Sequence, residues 1–251
     1  MTGFLPMSEY PAPEPDLMNG IISIVTAAIV LLVHLFVFRP RGLNKYLMNK
    51  FGEKNVPVSK ILFQRLLGGV LFGLIPLLMI VFVFRGSIDN YGFAGNNPVK
   101  IFLYWIPLAV LCIVVGYRFS RNEKYLALYP QIRVSEWSGK LVAASALSWI
   151  LYLFGYEFLL RGFLLFSCLE SFGTWPAIII NICLYTLIHL HKGTIEAVGS
   201  LFVGFLFCYL AIFLGSFWIA FFIHITMALS NEWITLSRNP DMRIVKNKTK
   251  I

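Results

Sequence analysis

The chain has 251 residues, of which 58% are hydrophobic and only 13% charged. A soluble domain carries roughly 25% charged residues, so a water-facing globule is excluded. The net charge of +9 is confined to loops between apolar blocks, with no interleaved exposed aromatics, which points to membrane topology and away from nucleic acid.

In chain order the apolar segments run at about 19–38, 61–84, 101–117, 141–169, 176–191, 197–214 and 217–237, each near the length a bilayer-crossing helix needs. They are continuous rather than alternating, which excludes a transmembrane barrel. The fold predicted is all-α, a polytopic transmembrane helical bundle of about seven helices. Residues 1–18 form a polar, extracytoplasmic tail with Glu9, Glu14 and Asp16 but no lysine or arginine, so the basic start of a cleavable signal peptide is missing. Residues 19–140 hold three helices with basic cytoplasmic loops. The first of these loops carries Arg39, Arg41, Lys45, Lys50, Lys54 and Lys60 against Glu53, and the second carries Arg118, Arg121, Lys124, Arg133 and Lys140 against Glu123 and Glu136. The 85–100 loop has only Arg85, Asp89 and Lys100, whereas the 238–251 tail has Arg238, Arg243, Lys246, Lys248 and Lys250 against Asp241. Positive-inside logic places the N-terminus outside and the C-terminus in the cytoplasm, and the setting expected is a bacterial cytoplasmic membrane. Trp105, Trp175, Trp218 and Trp233 fall near segment ends, where indoles favour the interface. Cys112, Cys168, Cys183 and Cys208 lie inside apolar blocks with no C-x-x-C spacing and are expected to be free, buried thiols.

Ionisable groups at membrane depth are costly unless paired, so each is a functional candidate. The fourth segment holds two, Glu157 and Arg161, four residues apart in the order that favours an ion pair on one helix face. One reading is a structural staple; the other is that Arg161 keeps Glu157 charged and oriented to activate water. The same segment, from Lys140 to Glu170, is too long for one perpendicular span and must tilt or project. His189 and His191 point about 200° apart on a helix, so they cannot share a site. His189, one turn after Tyr185, is the interior candidate, and His191 belongs at the interface beside Lys192. His224 has Asn231 seven positions later on the same face, whereas Glu232 lies nearer the cytoplasmic edge and is expected to be solvated. His34 is assigned to packing or interface contact, and Arg65, near the end of the second segment, to snorkelling. Asn181 is a further polar position. The spacings Gly69-x-x-x-Gly73 and Ser200-x-x-x-Gly204 permit close helix approach, in the bundle or in a dimer.

Three of these groups form motifs in order: Tyr156-Glu157-Phe158-Leu159-Leu160-Arg161-Gly162, Tyr185-Thr186-Leu187-Ile188-His189, and His224 with a downstream amide. The chain resembles, over residues 141–237, the CPBP family of intramembrane proteases (CAAX proteases and bacteriocin-processing enzymes), whose motifs are E-E-x-x-x-R-G, F-x-x-x-H and H-x-x-x-N or D. Two departures stand out. Tyr156 occupies the place of the first glutamate, and Ala228 the place of the asparagine. The chain is similar to a subgroup reading W/Y-E-F-x-x-R-G with a polar residue seven after the last histidine, in which Asn231 would supply the missing amide.

The resemblance implies an endopeptidase acting on a membrane-associated peptide or protein, with membrane lipid around it. Glu157 and His189 would polarise the attacking water, His224 and Asn231 would stabilise the oxyanion, and Arg161 would orient Glu157. No cofactor is favoured. A zinc alternative would use Glu157, His189 and His224 with an open fourth position, but there is no H-E-x-x-H and no second carboxylate to serve as base. A transporter would need a polar path that the first three segments do not supply. A catalytically inactive scaffold or bacteriocin-immunity-type protein fits the missing first glutamate. Oligomeric state is left open.

Overall fold

Helix is the only local structure these apolar runs can adopt in lipid, because each backbone N–H and C=O must be satisfied within its own segment. The computed structural model describes residues 17–37, 41–95, 97–190 and 193–245, and they are overwhelmingly helical. The elements in order are α1 (Leu17–Val37), α2 (Arg41–Phe51), α3 (Val56–Leu78, prolonged by a π turn, Met79–Val83), α4 (Pro98–Phe119) and α5 (Glu123–Leu128). After strand β1 (Glu136–Ser138) come α6 (Gly139–Glu157), a second π turn (Phe158–Leu164), α7 (Leu165–Phe172), α8 (Thr174–His189), α9 (Thr194–Leu214), α10 (Trp218–Arg238) and strand β2 (Arg243–Val245).

Among the described residues six helical runs are long and apolar enough to cross a membrane: 17–37, 53–83, 98–119, 139–172, 196–214 and 218–238. The remaining expected segment appears as α8, an apolar helix of 16 residues. At 1.5 Å per residue it reaches about 24 Å, short of a bilayer's hydrocarbon thickness of about 30 Å. The chain is thus an all-α, polytopic membrane protein. The overlong fourth segment is one helical run of 34 residues, widened in its middle by the Phe158–Leu164 turn. Most of the polar N-terminal tail, with His191, Lys192, Arg39, Lys246, Lys248 and Lys250, lies outside the described residues.

The chain forms two compact units that alternate along the sequence. The described part of the first comprises residues 17–32, 74–95, 97–98, 157–190 and 193–220. Here α8 and α9 lie side by side. Ser200 Oγ donates to Thr186 Oγ1 at 3.2 Å, and a Cβ on Gly204 would fall 3.1 Å from the Tyr185 ring, so the Ser200–Gly204 pair serves contact within the chain. The 84–97 loop is tied to the α9–α10 turn: Ser216 Oγ donates to the Gly92 carbonyl at 3.0 Å, and Trp218 Nε1 donates to the Phe93 carbonyl at 2.7 Å. Gly92 has φ +73°, and a Cβ there would sit 2.7 Å from the Phe166 ring, so only glycine fits.

The described part of the second unit comprises 33–37, 41–73, 99–156 and 221–245. Its helices α3 and α6 meet backbone to backbone. A Cβ on Gly155 would lie 2.5 Å from the Gly69 carbonyl oxygen and 3.0 Å from the Gly73 amide nitrogen. Neither atom is on a flexible side chain, so Gly155→Ala should lower stability by about 1–3 kcal/mol. Thermal unfolding in detergent reads this, with Gly199→Ala, a helical position that meets nothing within 4 Å, as the control expected to match the parent or exceed it by up to about 1 kcal/mol. Strands β1 and β2 pair in parallel, Trp137 opposite Ile244, over a small core of Ile132, Trp137 and Leu236. Residues 243–245 are held in this ladder, and Arg238 donates to Ser120 Oγ at 2.8 Å and lies over the Tyr117 ring at 4.0 Å.

Two expectations are overturned in this unit. Arg65 does not snorkel and Glu232 is not solvated; they are buried together, Nη2 to Oε2, at 3.1 Å. The reason is where the helix begins. Ser59 and Lys60 are already helical, α3 starts at Val56, and Arg65 stands about 14 Å along it instead of at its end. His34 is a packing residue, as expected, its ring 4.8 Å from Phe72 and its Nε2 3.3 Å from the Gln64 carbonyl. Trp105 and Trp218 donate their indole N–H to backbone carbonyls, whereas Trp175 and Trp233 are exposed.

Candidate active site

The first unit gathers Glu157, Arg161, Tyr185 and His189. Glu157 closes α6 and Arg161 lies in the π turn that follows. In that turn the Leu165 amide reaches back to the Leu160 carbonyl, one residue further than in an α-helix. Such bulges are frequent at functional sites, because they rotate the side chains that follow. Asn181 of α8 secures the widened turn from outside: its Nδ2 donates to the Leu160 carbonyl at 2.6 Å, and its Oδ1 accepts from Cys208 Sγ of α9 at 3.3 Å. A carboxamide and a thiol within apolar helices thus satisfy each other and the backbone.

Arg161 Nη1 donates to Glu157 Oε2 at 3.1 Å, and both side chains are 0% exposed. The guanidinium carbon lies over two rings, 4.2 Å from the Tyr185 centroid and 5.2 Å from that of Phe207. Cation–π contact of this kind gains strength when water is excluded. One turn beyond Tyr185, the His189 ring lies 4.5 Å from the Tyr185 ring, centroid to centroid. Its Nδ1 donates to the Tyr185 carbonyl at 2.8 Å. A carbonyl can only accept, so the proton of the neutral imidazole sits on Nδ1 and the lone pair on Nε2. The guanidinium that holds the carboxylate, and an imidazole fixed in one tautomer, both contact one tyrosine ring.

His224 and Asn231 belong to the second unit, both on α10. The His224 ring meets Tyr156 edge-on at 5.8 Å, whereas the Asn231 carboxamide oxygen abuts Gly116 of α4, 2.5 Å from where a Cβ would stand. Tyr156 is buried against Phe72 and Tyr152 as well. Among the described residues no three His, Cys, Asp or Glu are grouped so that they could hold a metal ion. The sequence reading gave no role to Asn181, Phe207 and Cys208. A carboxamide inside an apolar segment was the signal available for the first, and the other two carried none.

Fold and buried ion pair together define a polytopic helical membrane protein with charged chemistry inside its spans. Residues 138–230, rather more than a third of the chain, match the family described as type II CAAX prenyl endopeptidase Rce1-like. The matched stretch takes in Glu157, Arg161, His189 and His224 and ends one residue before Asn231. No curated protein and no solved structure matched the chain.

Proposed function

We propose that this protein is an intramembrane endopeptidase that hydrolyses a peptide bond of a membrane-associated substrate by a glutamate-type, metal-free mechanism. The observation that carries the reading is the Glu157–Arg161 pair, wholly buried in a membrane-spanning run and joined through Tyr185 to an imidazole of fixed tautomer. Burying two charges in a hydrocarbon-facing protein is costly, and such groups mark function by default.

In the proposed reaction Glu157, as a carboxylate, takes a proton from water while the water oxygen attacks the scissile carbonyl carbon. His189 accepts a hydrogen bond from the same water through Nε2. The carbonyl π pair moves onto oxygen, and the resemblance nominates His224 and Asn231 to stabilise that oxyanion. Collapse breaks the C–N bond, and the proton held by Glu157 passes to the leaving amine. Arg161 touches no reacting atom here; it orients the carboxylate. The loop charges support an N-terminus outside and a C-terminus in the cytoplasm.

The test is cleavage of a prenylated C-terminal peptide by the full chain in lipid nanodiscs, compared with His189→Ala. Cleavage by the parent and its loss in the variant, with unfolding temperature retained, is expected. Undiminished cleavage by His189→Ala would remove that residue from the mechanism. Peptides that accumulate in membranes expressing Glu157→Ala should identify the natural substrate.

A further inference from the structure

The second unit contains a buried ionic cluster that the reaction above does not use. Arg65 (α3) and Glu232 (α10) are 3% and 1% exposed at their side chains. Arg65 Nη1 donates to Ser145 Oγ at 2.9 Å and Ser148 Oγ at 3.2 Å, and Nη2 to Gln131 Oε1 and Glu232 Oε2, both at 3.1 Å. The guanidinium lies 3.8 Å over the Trp149 ring. Glu232 also accepts from Ser145 Oγ at 2.5 Å and from Trp149 Nε1 at 2.8 Å.

Apolar residues could hold three helices together without desolvating two charges, so adhesion alone does not account for this cluster. What it adds is direction. Ser145 and Trp149 tie the middle of α6 to Glu232, and near the C-terminal end of α6 Tyr156 meets His224. Ser145 and Tyr156 are eleven residues apart, three helical turns, and therefore share a face of α6. Glu232 and His224 are eight apart on α10. The helices run antiparallel between these two contacts, which together fix both rotation and register. A slip of one residue would carry the imidazole about 1.5 Å along α10 and turn it by about 100°.

We propose that the Arg65–Glu232 pair is a positioning device that sets α10 against α6 and so holds His224 edge-on to Tyr156. Tyr156, which stands where the family has its first glutamate, is the surface on which that imidazole rests. Neither Arg65 nor Glu232 exchanges a proton with substrate. The claim concerns placement, and its test uses no substrate, so it stands or falls apart from the peptidase reading.

The chain has only four histidines, which makes the imidazole spectrum assignable. The full chain, labelled with ¹³C at histidine Cε1 and placed in nanodiscs, is compared by NMR with Arg65→Met/Glu232→Leu, a variant that leaves no unpaired buried charge. His224→Gln assigns the resonance. The expected result is a folded double variant whose His224 signal has moved and whose cross-relaxation with the Tyr156 ring is lost. Glu136→Gln, which breaks the exposed Arg243–Glu136 contact, should leave the His224 signal in place. An unchanged His224 signal in the folded double variant would overturn the proposal. So would a double variant that cannot fold, because the pair would then be serving assembly rather than the placement of one ring.

Discussion

Arg161→Met should be strongly destabilising, at about 3–5 kcal/mol, because it removes the guanidinium bonded to a fully buried carboxylate. The Glu157 side chain is 0% exposed, and Arg161 is the cation bonded to it. For a chain of this size the loss corresponds to a fall of about 6–20 °C in unfolding temperature. The double variant Glu157→Leu/Arg161→Met separates charge from packing. Apolar residues of similar volume can replace a buried pair at little or no cost, so the double variant should unfold near or above the parent temperature. A double variant as unstable as the single one would show that Arg161 matters as a plate over Tyr185 and Phe207 instead. Arg161→Lys should fall between the two, since an ammonium keeps the charge but offers no planar face to either ring.

The same pair shows what a sequence can disclose about a membrane protein. Glu157 and Arg161 were legible because they are local: four residues apart on one helix, in a segment where any charge stands out. The apolar blocks gave the helices for a similar reason, since lipid leaves the backbone no alternative. Arg65 and Glu232 are as buried as the first pair, yet 167 residues separate them. Each alone had an ordinary explanation at a segment edge, and nothing in a one-dimensional pattern joins them. The error over Arg65 came from drawing a segment boundary by hydropathy, although Ser59 and Lys60 extend α3 by several residues. The π turn at Phe158–Leu164 was silent as well: widening a helix by one residue per turn needs no particular composition, and its signature is the Asn181 side chain on another helix. The β1–β2 ladder is three residues long, with Glu136 and Arg243 exposed at one end of it, too short for any periodicity to appear.

Glu157→Gln should lower turnover of a cleaved peptide by about 10²- to 10⁴-fold, the range in which a positioned general base contributes. Glutamine keeps the shape and a carbonyl oxygen that can still accept from Arg161 Nη1, so the protein should remain folded and bind substrate with an unchanged KM. The decisive comparison adds His189. Glu157 and His189 both reach Tyr185, one by its guanidinium partner and the other by ring contact and the Tyr185 carbonyl. If both act on a single water, removing either disables the same step, and Glu157→Gln/His189→Gln should lose little more than one variant alone. If they contribute independently, the two losses multiply. Single-turnover rates on the four proteins distinguish these cases, and multiplication would assign the carboxylate and the imidazole to separate steps.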